Sequence, residues 1–62
     1  MRGYVLERTD QGGGYIAKPG VSKTGATKRL EDARIFATEE QAEAERCPQN
    51  EVVVPISRIL KP

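Results

Sequence analysis

Two glycines, Gly20 and Gly25, stand in the stretch KPGVSKTGATKR with Lys23, Thr24, Thr27, Lys28 and Arg29. These are the residue types of a loop that cradles phosphate oxygens. Glycine lets backbone N–H groups close on the anion, lysine meets its charge, and a hydroxyl holds magnesium. Against the pattern G-x-x-x-x-G-K-[S/T], both glycines and Thr27 are in place, but position 26 is alanine where the phosphate-reaching lysine belongs. Such a loop also opens a helix whose N-terminus faces the anion, and a 62-residue chain lacks the surrounding parallel sheet. The match is accidental, and nucleotide hydrolysis is not expected.

The cations alone give a second reading. Lys18, Lys23, Lys28 and Arg29, joined by Arg34, would project from one loop toward phosphates, each contact steepening the salt dependence of binding. Single-stranded nucleic acid also needs aromatic platforms. Only Tyr4 and Tyr15 are available for that, and their plainer role is as half-buried strand residues.

The acidic residues give a third. Glu31, Asp32, Glu39, Glu40, Glu43 and Glu45 lie on or beside one short helix. Glu39 and Glu43 stack at i,i+4, where like charges destabilise by a few tenths of a kcal/mol, on the order of 0.3. Solubility and the helix dipole account for Glu39 and Glu40. The sharper alternative is a surface of Glu39, Glu40 and Glu43 that copies nucleic-acid charge and docks on a basic groove.

Catalysis has little to work with. Histidine is absent and Cys47 is the only cysteine, which removes Cys/His zinc sites and any intrachain disulfide. Cys47 falls at the C-terminal end of the expected helix and is read as a small core or boundary residue. No catalytic residue, cofactor or metal is expected. An unpaired thiol fits a reducing compartment. The charged start MRGYVLERTD is unlike a signal peptide, and no apolar run approaches the ~20 residues of a membrane span. A cytoplasmic protein is expected.

The net charge of +1 conceals an uneven layout. Residues 1–29 carry six Lys/Arg against two Asp/Glu, residues 30–51 two against seven, and residues 52–62 add Arg58 and Lys61. A basic front and an acidic middle can steer a partner of complementary potential. Ordinary solvated faces are the plainer account.

These groups must be positioned by few elements. The chain is one domain, 1–62, with 37% hydrophobic residues and three aromatics, Tyr4, Tyr15 and Phe36. YVLERT alternates with period two, DQGGG permits the positive φ of a hairpin turn, and YIAK returns to Pro19–Gly20. Residues 20–29 have no apolar period and read as loop. Over 26–37 two readings compete: Ala26, Leu30, Ala33 and Ala37 suit a helix, whereas Ile35 and Phe36 suit a strand. Thr38–Glu39–Glu40–Gln41 is a capping box, which favours a turn at 30–33, a strand at 34–37 and a helix from Glu39 to Cys47. Pro48 stops that helix, and EVVVPIS is a strand that Pro55 marks as edge or bend.

The expected fold is α+β: a small antiparallel sheet in the order β-β-β-α-β with one short helix packed on it. The expected core is Val5 or Leu6 with Ile16, Leu30, Ala33, Phe36, Ala42, Val52, Val54 and Ile56. Ile59 and Leu60 are two apolar residues too many for a disordered tail, so they cover the core or meet another chain.

The hairpin YVLERTDQGGGYIAKPG, the segment Leu30–Ala33–Phe36, the helix start at Thr38 and Glu40, and the closing strand Val52–Val54 occur together in this order. The chain thereby resembles small proteins of phages, prophages and bacterial genomes that carry no assigned activity. The resemblance covers nearly the whole chain and speaks mainly of fold. It implies, by association with that class, an anti-CRISPR or other anti-defence protein that inhibits a host complex by protein–protein contact. The expected partner is a host protein or ribonucleoprotein complex in the host cytoplasm. A small nucleic-acid-binding domain and an oligomerising structural protein, dimeric through the C-terminal tail, are the alternatives.

Overall fold

The fold is described from a computed structural model, over residues 3–10 and 12–60. The turn residue Gln11 and the charges of Arg2 and Lys61 lie outside the described residues. The elements are β1 (Tyr4–Arg8), β2 (Tyr15–Ile16), β3 (Ala26–Thr27), a 3-10 turn (Leu30–Asp32), α1 (Glu39–Glu45), β4 (Glu51–Pro55) and α2 (Ile56–Ile59). The four strands form one antiparallel sheet in the order β3-β2-β1-β4. This is the expected α+β class, with a second small helical piece added.

β1 is interior, with Glu7 opposite Tyr15 on one side and Val5 opposite Val54 on the other. Adjacent strand residues point to opposite faces, so its two apolar residues serve two cores. Val5 packs with Ala33, Val54 and Ile56, joined by half-buried Tyr15, Leu30 and Ile59. Leu6 packs with Phe36 and Ala42, joined by Tyr4, Ile16 and Val53. The choice between Val5 and Leu6 resolves into both, because α1 covers one face of the sheet while α2 and the 3-10 turn cover the other.

Val52 is not core: it is 40% exposed. It lies two residues along β4 from Val54, beyond the end of the sheet that the four-residue α2 shields.

The segment 26–37 is neither a helix nor a turn followed by a regular strand. The third strand is Ala26–Thr27, inside the expected loop, paired with Ile16 and Tyr15. Residues 33–36 run extended where β1 and β2 part, bridging Ala33 to Ala17 and Phe36 to Tyr4. Phe36 and Tyr4 exchange both backbone bonds, at 2.8 and 2.9 Å, and Arg34 N–H donates to the Ile16 carbonyl at 2.9 Å. A single bridge at each end replaces the expected ladder. Gly3 makes the crossing possible. Its φ is +130°, and a Cβ there would stand 2.8 Å from Ile35 Cγ2 and 3.1 Å from the Phe36 carbonyl oxygen.

α1 starts where the capping signal places it. Thr38 is extended, and its hydroxyl accepts the Gln41 N–H at 3.1 Å. The helix ends at Glu45 rather than Cys47, with Arg46 already extended at ψ 152°. Pro48 disfavours helical backbone at the residue before it, and the unwinding reaches one residue further back.

Candidate binding surfaces

The five cations expected on one basic loop are dispersed. Lys18 lines a depression with Leu30, Ile35 and Leu60, and its Nζ donates to the Glu31 carbonyl at 3.0 Å. Lys28 lines a second depression beside the glycine turn, with Arg8. Arg34 borders a third, against α1, where it sits 4.7 Å from the Phe36 ring centroid and 3.3 Å from Glu45 Oε1. Stacking over the ring and pairing at the rim hold this guanidinium as a lid on a core residue.

Arg29 is likewise engaged: Nη2 and Nε donate to Glu31 Oε1 at 2.8 and 3.1 Å, and Asp32 lies at 3.7 Å. The Arg29 hydrogen bond holds the Glu31 carboxyl below its ordinary range, and Glu31 in turn raises Arg29. Among the described residues, Lys23 and Lys28 have no carboxylate within salt-bridge distance; both are exposed.

The acidic helix is partly neutralised by the same economy of local pairs. Glu43 accepts from Arg46, one turn on, and Glu45 from Arg34. Glu39 and Glu40 remain as exposed carboxylates of the first turn, the place where a helix dipole favours them. The i,i+4 repulsion between Glu39 and Glu43 is relieved by Arg46. What α1 shows to solvent is two adjacent charges rather than a continuous acidic stripe.

Tyr4 and Tyr15 do not form a shared platform. Tyr15 stands opposite Glu7, on the Val5 face, whereas Tyr4 packs with Leu6 and Phe36 on the other. Stacking of successive bases on the two rings is therefore geometrically closed.

Backbone pairing at the sheet edges is partly blocked as well. Ile56 N–H donates to Gly3 and Thr9 N–H to Asn50. By the antiparallel alternation, the backbone groups of Glu51, Val53 and Pro55 then face away from β1. Glu51 N–H is taken by the Cys47 carbonyl at 3.0 Å and its carbonyl by Arg46 Nη1 at 2.8 Å, while Pro55 has no N–H. At the other edge, Ser22 Oγ donates to the outward Ala26 carbonyl at 2.7 Å. A partner strand would find only Val53 with both groups open, and such blocking is how natural sheets prevent edge association.

Side-chain surface remains, and its apolar part is concentrated. Leu60 is 53% exposed and Ile35 41%. With Leu30 they bound a mostly apolar depression of about 300 Å³, with Lys18 and Glu31 on its rim. Sequence reasoning singled out Leu60 but placed Leu30 in the core and Ile35 in a strand, where alternation with buried Phe36 already turned it outward. Ile59 is half-buried against the Val5 core, so the tail divides its two apolar residues between core and surface.

Cys47 is exposed rather than core: the helix has already ended, and its N–H is spent on Glu51 Oε1 at 2.9 Å. Among the described residues, no group of three or more His, Cys, Asp or Glu could hold a metal ion. No helix among them is long and apolar enough to cross a membrane. In comparisons with known proteins, no family model, curated protein or solved structure matches the chain.

Proposed function

We propose that this chain is a non-enzymatic binding protein that docks on another protein through the depression bounded by Leu30, Ile35 and Leu60. The observation that carries this is the clustering of two large, exposed aliphatic side chains around one concave patch. Contiguous apolar patches rimmed by polar groups mark interaction sites. Lys18 adds a sign to the patch. Its ammonium bonds a neutral carbonyl and keeps its charge, whereas the Glu31 carboxylate is answered by Arg29. The complementary partner presents an apolar side chain next to a carboxylate.

The resemblance to small phage and prophage proteins supports a finer version, in which the partner belongs to a host defence complex that the chain inhibits. Nucleic acid binding has less support, since the tyrosines are separated and the cations dispersed.

The test compares partners captured from host lysate at low salt by the wild type, Leu60→Asp and Lys23→Glu, each verified as folded by circular dichroism. A protein held by the wild type and Lys23→Glu but lost with Leu60→Asp supports the reading. Equal capture by all three, or no capture, sinks it. A second copy in the same depression is the competing outcome. Light scattering reads it as a dimer that Leu60→Asp makes monomeric. Ile59→Asp would not serve, because Ile59 packs on the core.

A further inference from the structure

We infer that the depression between the glycine turn and the β3 edge is a binding site for a terminal phosphate group, separate from the apolar patch. The fold brings two glycine-bearing loops together here. Arg8, Gly12 and Gly13 bound one side of a depression of about 210 Å³, and Thr24, Thr27 and Lys28 bound the other. The approach is close: a Cβ on Gly14, whose φ is +86°, would stand 2.8 Å from the Thr27 carbonyl oxygen and 3.6 Å from Lys28 Cγ.

The lining has the chemistry of an anion site. Two of its side chains are cations and two carry hydroxyls, and no carboxylate lines it. Asp10 engages Arg8 only through Nε and Nη2, both at 3.0 Å, which leaves Nη1 for a ligand. Lys28 has no carboxylate within salt-bridge distance among the described residues. The Thr27 hydroxyl accepts the Arg29 N–H at 3.1 Å, so its own proton is available to donate. A Cβ built on Gly12 or Gly13 meets nothing within 4 Å, so a ligand oxygen has room beside this turn, while the Gly13 N–H itself is spent on the Asp10 carbonyl at 3.1 Å.

A phosphate monoester suits this set better than a carboxylate, because it carries more charge and more acceptor oxygens for a guanidinium, an ammonium and the Thr27 hydroxyl. The Thr24 proton is held by Ser22 Oγ, whose own proton goes to the Ala26 carbonyl. The overall nucleotide-loop pattern is not what builds the site. Gly20 and Lys23 are absent from it, and Arg8 comes from the preceding strand.

The experiment is an amide-resolved NMR titration of the whole chain with inorganic phosphate, matched in ionic strength by sodium chloride. The expected result is saturable shifts at Gly12, Gly13, Thr24, Thr27 and Lys28 with phosphate and none with chloride. Lys28→Ala weakens binding about tenfold, while Lys23→Ala, an exposed cation outside the depression, leaves it unchanged. A second pair of titrations uses a short oligonucleotide with and without a 5′-phosphate. Binding of the phosphorylated form alone assigns the group to a nucleic-acid end, and binding of inorganic phosphate alone assigns it to a free anion; both uphold the site. Shifts that fail to saturate, that chloride reproduces, or that Lys23→Ala removes as fully as Lys28→Ala overturn it. So does equal binding of the two oligonucleotides. None of these readouts involves Leu60, so the fate of the protein-docking proposal is decided separately.

Discussion

The guanidinium of Arg46 donates to the carbonyl of Glu51 at 2.8 Å across the turn that joins α1 to β4. The same side chain pairs with Glu43 on the last turn of the helix. One residue thus fastens the helix to the sheet and occupies an outward-facing acceptor of the edge strand. Arg46→Ala removes both. It is expected to lower stability by about 1–2 kcal/mol in urea denaturation. It also reopens the edge, which light scattering over a concentration series would show as association absent from the wild type.

The N-cap bond of Thr38 tests the helix by itself. Only one half of the capping box is formed, since the Gln41 side chain makes no return bond among the described residues. Thr38→Ala is therefore expected to destabilise by about 1 kcal/mol, and Gln41→Ala by much less. Urea midpoints of the two variants decide the order.

Gly14 is required twice, by its positive φ and by the Thr27 backbone in front of it. Gly14→Ala is expected to lose more than about 1 kcal/mol, measured by thermal melting. A loss no larger than that of Gly20→Ala, whose added Cβ meets nothing within 4 Å, would contradict the close approach of the two loops.

Burial orders the β4 valines. Val54→Ala removes packing from the Val5 core and is expected to destabilise by about 1–3 kcal/mol, whereas Val52→Ala, at an exposed edge position, falls within about 1 kcal/mol of wild type. Leu6→Ala, at about 2–5 kcal/mol, approaches the whole stability of a domain this small. The readout is the fraction folded by circular dichroism.

Acid weakens the fold through two named carboxyls. A hydrogen bond from Arg8 lowers Asp10, opposed in part by desolvation, and one from Arg29 lowers Glu31. A carboxyl depressed in the folded state contributes stability that is fully present above its unfolded pKa and is lost as pH falls through the folded value. Melting temperature is expected to hold from neutral pH down to the ordinary carboxylate range, about pH 4, and to drop below it. Arg29→Gln should flatten the part of that drop due to Glu31. Both pairs are solvent-accessible, so added salt shrinks the effect.

Local signals were legible and long-range ones were not. Thr38 announces its helix because the cap, the two glutamates and the proline stop lie within a dozen residues. The hairpin of β1 and β2 declares itself by alternation around three glycines. Ala26 and Thr27 become a strand only because Tyr15 and Ile16 lie beside them, and a two-residue strand leaves no period to read. Residues 33–36 take their extended form from Ala17 and Tyr4, both distant in sequence. The candidate surfaces failed to read for the same reason. Lys18, Lys28 and Arg34 are near in sequence, but the loop carries them to three different depressions. Arg29 and Arg34 find carboxylates that counting charges does not pair.

Neighbouring Val5 and Leu6 face opposite sides of the same strand, so that strand is a party wall between two rooms. Water that enters either room wets the common partition, and the other loses its lining in turn. The helix-covered half and the tail-covered half therefore have no separate lifetimes. Calorimetric and van't Hoff enthalpies of melting should coincide.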